Sequence, residues 1–475
     1  MSDDGATFQI VQVNLQADRG GDGRIVSSLH KAYAERGYDA TLLVGRGSVS
    51  RDGEHLIPND AYRSAWAKSW ASISSAVPQG APPRRSLSKV VRWIAQPRRM
   101  LRIHEGFEDF DFPATLPVIA RAVSGRRTIL HLHNLHGGYF DLRALPHLNR
   151  LAPTVLTLHD EWTFTGHCAY TFSSDGWRIG CGNCPDLESY PGIPKDRTAE
   201  NFALKARIFA QTRLNVTSPS NWLMERARVS LLGPAIEDAR VIPNGIDNTT
   251  FRPANVAEDR SQLQLPPTSK ILLCAGSAAR TTRRTRQEFL RRAAAHLGSM
   301  GIDTTMVFIG SREASSEDLN GLRVLHRPFE RAPSRMASYY RAADAYLHAA
   351  LADNLPMAII ESLACGTPVI ATDVGGIPEE VTSLWSTKRT GGSPAESATG
   401  ILLDPDDDAG VTAAIDLLFR DDRLRSRLST NGSKVAAAKF SFTRQVSQNL
   451  EWYREILSRP RRPTSDLAQL RKDRR

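Results

Sequence analysis

Cysteine is scarce in this sequence: its 475 residues include five. Five thiols do not make a disulfide framework, so a reducing, cytoplasmic setting is expected. Long apolar runs are missing too. The longest are of strand length, and no transmembrane helix is expected. The opening MSDDGATFQIVQVNL starts with acids and passes straight into a strand-like run, unlike a secretory leader. Acidic residues are absent from 84–102, where seven basic ones stand: Arg84, Arg85, Lys89, Arg92, Arg98, Arg99 and Arg102. Arg459–Arg475 is also one-sided, with seven basic and two acidic residues. Within a formal charge of +10, such clusters suit nucleic acid, an anionic membrane face, phosphorylated substrates or plain solubility. No zinc-finger, RNA-binding or helix-turn-helix signature accompanies the charge, so nucleic acid is not an expected partner.

What is present is a soluble globular composition, 41% apolar and 24% charged, in a chain long enough for two or three domains. Strand-like runs alternate with amphipathic stretches. Phe8–Leu15 is apolar and β-branched, and Gly20–Gly23 breaks it. Ile25, Val26, Leu29, Ala32 and Tyr33 then recur at helical spacing up to Gly37. Ala40–Val44, Thr128–Leu132, Thr154–Leu158, Leu214–Thr217 and Arg240–Pro243 are further strand candidates. The alternation predicts a parallel sheet with helices on both faces. Residues 252–267, rich in proline and polar side chains, read as a linker. The pattern then restarts at Lys270–Gly276 and continues through Thr304–Gly310, Leu322–His326, Asp344–His348, Pro368–Thr372 and Gly400–Leu403. Two α/β units in tandem predict a cleft, and ligands of open α/β sheets bind beyond the carboxyl ends of the strands. Residues 60–112, with Trp66, Trp70 and Trp93, read as a basic, partly helical insertion.

The most informative stretch is Ala352–Val381, ADNLPMAIIESLACGTPVIATDVGGIPEEV. Asp353 and Glu361 lie eight residues apart. Pro356 stands where a first helical turn would start, which places Asp353 before the helix and Glu361 on it. A helix start offers backbone N–H groups and the positive end of a dipole to a phosphate. A carboxylate further along can accept hydrogen bonds from sugar hydroxyls. Gly375-Gly376 forms another tight loop, expected to expose N–H groups. Asp353, Glu361, Ala364-Cys365-Gly366-Thr367-Pro368-Val369 and Gly375-Gly376-Ile377-Pro378-Glu379 together resemble the motifs of the retaining glycosyltransferases of family 4. Val241–Asp247 (VIPNGID), Ser218–Leu223 (SPSNWL), Gly20-Gly21 and the C-terminal FSFTRQVSQNLEWYREIL extend the resemblance. The block Thr154–Pro185 resembles a branch often found in exopolysaccharide and capsule assembly.

The resemblance implies a GT-B fold: two Rossmann-like α/β domains facing across a cleft, with a C-terminal helix crossing back to the first. The implied segments are an acceptor domain at 1–245, a nucleotide-sugar domain at 246–438, a closing helix at 439–458 and a basic tail at 459–475. It implies a UDP- or GDP-linked sugar as donor substrate, a saccharide or lipid-linked acceptor, and neither cofactor nor catalytic metal. Glu361 resembles the ribose-binding acid, with Gly20, Gly21, Asn354 and Leu355 also at the donor. Arg280, Arg283 and Arg284 stand where the family places an Arg and a Lys on the diphosphate; this chain has no lysine there. His159 follows a strand and would meet the donor sugar with Asp353. His133, Asn134 and His136 would form part of the acceptor site. Cys168, Cys181 and Cys184, with His167, are either zinc ligands or a packed thiol set. The basic insertion 84–102 suggests peripheral docking on an anionic inner-membrane face. The rival readings are a GT-B sugar-nucleotide epimerase and a non-catalytic sugar-nucleotide-binding scaffold.

Overall fold

The computed structural model describes residues 8–17, 20–47, 49, 51–75, 90–275 and 285–460. They form two compact units. The first comprises Met1–Pro219, Leu223–Val241 and Gln448–Arg475; the second comprises Ser220–Trp222 and Ile242–Ser447.

The first unit is built on a seven-stranded sheet: β1 (Gln9–Asn14), β2 (Asp39–Val44), β3 (Glu54–Leu56), β4 (Thr128–Leu132), β5 (Thr154–Thr157), β6 (Leu214–Ser218) and β7 (Ile236–Val241). Their order is β3-β2-β1-β4-β5-β6-β7, and every pairing is parallel. Chain direction across the sheet reverses between β1 and β4, so the loops after β1, β4 and β5 gather at a topological switch point. The first helix runs Gly20–Glu35, so the glycines open it instead of breaking the chain before it; Gly20 has φ +80°. It ends in a Schellman motif at Gly37, whose N–H reaches Ala34 O at 2.9 Å while Tyr38 N–H reaches Tyr33 O at 3.1 Å.

The second unit holds β8 (Lys270–Ala275), β9 (Thr304–Ser311), β10 (Ser315–Leu319), β11 (Leu322–Pro328), β12 (Ala345–His348), β13 (Val369–Thr372) and β14 (Gly400–Leu403). Their order is β10-β11-β9-β8-β12-β13-β14. The near-continuous apolar run of β8 follows from burial on both sides. Ile271, Leu273 and Ala275 enter one core, and Leu272 and Cys274 enter the other. Burying each large aliphatic side chain stabilises by roughly 1.5–3 kcal/mol. The switch point lies between β8 and β12. The loop after β12 carries Asp353 and Asn354; the arginine-rich loop after β8 falls at 276–284, outside the described residues.

Two expectations are corrected, and one short strand was not foreseen. The sheet of the second unit is not wholly parallel: β10 pairs antiparallel with β11. Its five residues are all exposed, so no apolar alternation announces it. β3 is likewise too short and polar to be legible. Finally, 252–267 is not a linker. Asn255 caps a helix at Val256–Gln262, accepting from the N–H of Ala257 at 3.1 Å. Its buried residues are charged: Asp259 accepts two bonds from Arg341, and Arg260 donates to the carbonyls of Ala342, Pro267 and Ser269. A helix fixed by ion pairs leaves no apolar stripe for sequence reading to find.

Candidate active site

In the second unit, the loop after β12 enters a helix at Met357–Ala364 with Pro356 as N-cap. The helix thus begins one residue later than the sequence suggests. No side chain caps its start. Its end is fixed by a second Schellman motif. Gly366 (φ +80°) donates to Leu363 O and Thr367 donates to Ser362 O, both at 3.0 Å. The Cys-Gly-Thr-Pro sequence therefore stops the helix and turns the chain into β13. Glu361 is buried on this helix, where Tyr340 Oη donates to its Oε2 at 3.0 Å. Tyr340 is tied at its other end, its carbonyl accepting from Thr367 Oγ1 at 2.6 Å. The carboxylate is thereby held in one place.

Asp353 is part-exposed. Its Oδ1 accepts from its neighbour Asn354 N–H at 3.0 Å, and its Oδ2 lies 3.4 Å from His348 Nε2. His348 Nδ1 in turn lies 3.0 Å from Tyr346 Oη. Asn354 and Leu355 are buried. The Gly375-Gly376 loop does not offer a free N–H pair as expected. Gly376 N–H reaches Asp353 O at 3.3 Å, and the loop lies flat against the Asp353–Asn354 backbone. Arg389 holds it from behind, donating to the carbonyls of Asp373 at 2.9 Å and Gly375 at 3.1 Å.

Sequence reasoning missed Glu380, one residue past the Pro-Glu of the glycine motif. It is 1% exposed, and neither carboxylate oxygen has a hydrogen-bond partner. Burial pushes its carboxyl well above the ordinary range, and the charges of Asp353 and Glu379 push the same way. The folded chain thus keeps a proton that the unfolded chain releases above about pH 4.3, the ordinary glutamate value. Stability from this group is full below that value and falls as pH rises toward the folded pKa. Glu380→Gln is neutral at every pH. We expect its stability to change less between pH 4 and pH 8 than that of the wild type, by about 1.4 kcal/mol for each pH unit over which the folded wild type keeps its extra proton. Urea unfolding at the two pH values measures this; parallel pH dependence of the two proteins would contradict it.

In the first unit, the loops at the switch point bring together Asn14, Asp22, His133, Asn134, His136, His159 and Asp160. Asn134 Nδ2 donates to Asp22 Oδ2 at 2.9 Å, and its N–H donates to Asn14 Oδ1 at 3.2 Å. His136 Nε2 lies 2.7 Å from Asp160 Oδ2, and Trp162 N–H donates to Asp160 Oδ1 at 3.0 Å. Burial opposes a charge on His136, but Asp160 outweighs it and the imidazole pKa is raised. Asp160, also opposed by burial, is held below its usual value by the same pairing. The pairing thus favours the charged form of each. His159 behaves oppositely: burial lowers its pKa, and its Nε2 lies 3.2 Å from His133 Nδ1. His133 is itself buried, 3.4 Å from Gln12 Nε2. Of the acceptor candidates, His133 therefore sits beneath His159 as its support and is not at the surface. Gly20 and Gly21 are exposed at the start of the first helix, and Asp22 follows them.

His167, Cys168, Cys181 and Cys184 lie near one another but do not form a metal site; among the described residues no group of His, Cys, Asp and Glu could hold an ion. His167 Nε2 lies 3.5 Å from Cys184 Sγ, and Cys181 Sγ accepts from Gly166 N–H at 3.3 Å. Burial raises all three thiol pKa values, that of Cys168 to about 12. Arg280, Arg283 and Arg284 lie outside the described residues.

The sequence of the second unit matches a known family over residues 255–435, that of the group 1 glycosyl transferases. The chain is also similar to a putative colanic acid biosynthesis glycosyl transferase, WcaC, of Escherichia coli K12, 25% identical over 381 residues that cover 77% of this chain and 83% of that one. It is 30% identical over 258 residues to D-inositol 3-phosphate glycosyltransferase of Acidothermus cellulolyticus, covering 51% of this chain and 53% of the other, so it spans about half the length of that relative. Sucrose-phosphate synthase of Thermosynechococcus elongatus shares the fold, with a TM-score of 0.59 at 16% identity over 95% of this chain and 99% of that one. The fold class is therefore GT-B-type α/β with two Rossmann-like units.

Proposed function

We propose that this chain is a retaining, family 4 glycosyltransferase that moves a hexosyl group from a UDP- or GDP-sugar to a hydroxyl of a saccharide or lipid-linked glycan. The observation that carries the reading is the start of helix Met357–Ala364. It lies at the switch point of the group 1 domain, without a side-chain cap and with Glu361 held one turn inside. Glu361 takes the ribose hydroxyls. The N–H groups at Asn354 and the helix start, with Arg283 and Arg284, take the diphosphate. Arginine binds phosphate oxygens in bidentate fashion, so charge stabilisation needs no metal here. His159, uncharged and held by His133, and Asp353 orient the sugar.

The reaction breaks the bond between the anomeric carbon and the phosphate oxygen, and forms one from that carbon to the acceptor oxygen. The acceptor proton passes to the departing phosphate oxygen, so departure and attack occur on the same face of the sugar and its configuration is retained. His136 and Asp160 orient the acceptor. Its lipid-linked form implies work at the inner membrane face.

Incubation with a panel of UDP- and GDP-sugars, with and without saccharide acceptors, tests the reading. Nucleoside diphosphate release that depends on an acceptor is expected. Sugar interconversion with donor alone would point to an epimerase, and donor binding without turnover to a scaffold. Within this scheme Arg284→Ala is expected to lower kcat by about 10²–10³, the effect of removing one preorganised charge-stabilising donor. Unchanged turnover would remove Arg284 from the diphosphate site.

A further inference from the structure

Three short helical segments of the first unit share one feature that the transfer chemistry does not use. Helix Ala65–Ser75, the helical residues 90–95 and helix Pro97–His104 are linked. Trp66 Nε1 donates to Ile94 O at 3.1 Å, and Trp93 stands edge-on to His104 with ring centroids 6.1 Å apart. Val91 and Ala95 are buried and anchor the middle segment. Their neighbours face outward: Trp66 is 58% exposed, Val90 and Leu101 54%, and Trp93 and Ile94 40%. Five of the sixteen large apolar side chains exposed among the described residues fall here, including both exposed tryptophans. A cluster of this kind marks an interaction surface, unlike scattered single residues.

The charge of the same face identifies the partner. Val90–His104 contains four arginines and no acid. Arg99 is bound to Asp109; Arg92, Arg98 and Arg102 are exposed, Arg102 with its guanidinium 4.7 Å from the centre of the Phe107 ring. The charges and the apolar tips are interleaved: Arg92 precedes Trp93 and Ile94, and Arg102 follows Leu101. Aromatic residues and arginine are enriched at protein–protein interfaces as well, so the partner is decided by the one-sided charge of this segment, which an anionic surface complements. Aromatic and aliphatic tips set among arginines match the boundary between headgroups and acyl chains of a bilayer.

We propose that this face docks the protein on an anionic lipid surface, with Trp66, Trp93, Ile94 and Leu101 entering the interface and Arg92, Arg98 and Arg102 meeting headgroup phosphates. The proposal deepens the acceptor half of the functional reading and rests on it for its purpose, since a lipid-linked acceptor is reached from such a surface.

The test uses the full chain and vesicles of phosphatidylcholine alone or mixed equally with phosphatidylglycerol. Flotation is expected with the anionic vesicles only, weakening with salt, together with a blue shift of tryptophan emission. Arg98→Gln/Arg102→Gln should weaken partitioning about 25-fold, roughly fivefold for each arginine. Trp93→Ser/Ile94→Ser should weaken it without changing the salt dependence. Should that variant fail to fold, quenching of wild-type tryptophan by brominated phosphatidylglycerol replaces it. Flotation indifferent to anionic lipid, or unchanged in both variants, overturns the proposal. So does concentration-dependent self-association that Trp93→Ser/Ile94→Ser abolishes, because the face would then cover a second copy. All these proteins should consume donor with a water-soluble acceptor at the wild-type rate. Failure of that assay alone, with flotation intact, would sink the transferase reading and leave the docking surface standing.

Discussion

Gly375→Ala is expected to cost at least about 10²-fold in kcat/KM, the penalty of misplacing a substrate-positioning element by roughly 1 Å. Gly375 has φ +58°, and an added Cβ would lie 1.6 Å from Asp353 O and 2.8 Å from its carbonyl carbon. Both contacts are with backbone, so no rotamer change relieves them. Either the Asp373–Gly376 loop or the Asp353–Asn354 segment must move. Arg389 pins the first, through Asp373 and Gly375. The second leads directly into helix Met357–Ala364, so the displacement reaches the proposed phosphate site. Left-handed strain and overpacking together should also destabilise the chain by about 2–5 kcal/mol. Gly391→Ala is the control, since nothing lies within 4 Å of its added Cβ. Steady-state turnover and calorimetric Tm on both variants decide the matter. If Gly375→Ala is as active and as stable as Gly391→Ala, the loop does not position Asp353.

The same glycine shows what sequence reading captures. Gly375-Gly376 is legible as a turn because glycine frees the backbone. That the turn packs on Asp353, so that the Gly376 N–H is not open to a phosphate, depends on a contact between Gly376 and Asp353 that no local pattern carries. Regular elements were read better. The alternation of Ile271, Leu273 and Ala275 with Leu272 and Cys274 follows from a sheet buried on both sides, and the apolar run announces it. The Schellman stop at Gly37 was likewise visible as a glycine ending a helical period, whereas that at Gly366 was legible only as a turn before a strand. What stayed hidden was held by charge. Arg260 and Asp259 are buried residues of a helix with a linker's composition. His348 and Glu380 are single polar residues, one closing β12 and one beyond the glycine motif. Their approach to Asp353 exists only once the sheet has formed. The cysteine knuckle was ambiguous because spacing alone cannot say whether the thiols point at one centre.

The largest structural effect is expected away from the substrate, at Lys205 in the first unit. Its ammonium is fully buried. It donates to Trp162 O at 2.8 Å and Thr165 O at 3.0 Å, lies 2.9 Å from Glu108 Oε2, and stands 3.8 Å from the centre of the Trp162 ring. Burial pushes the lysine pKa down and that of Glu108 up, and the pairing opposes both shifts. Removing one charge leaves the other without its partner. Lys205→Met is therefore expected to destabilise by about 3–5 kcal/mol. In Tm this is a fall on the order of 10 °C for a unit of this size. Adding Glu108→Gln removes the stranded carboxylate, so the double variant should recover part of the loss; the two effects must fail to add because the groups touch. The consequence for function runs through Trp162. Its ring lies 5.5 Å from that of His136, and its N–H holds Asp160. A loosened Trp162 should raise KM for the acceptor while leaving donor KM near the wild-type value. Additive losses in the double variant, or a donor-side KM change of equal size, would mean that Lys205 supports the fold by some route other than this ion pair and this tryptophan.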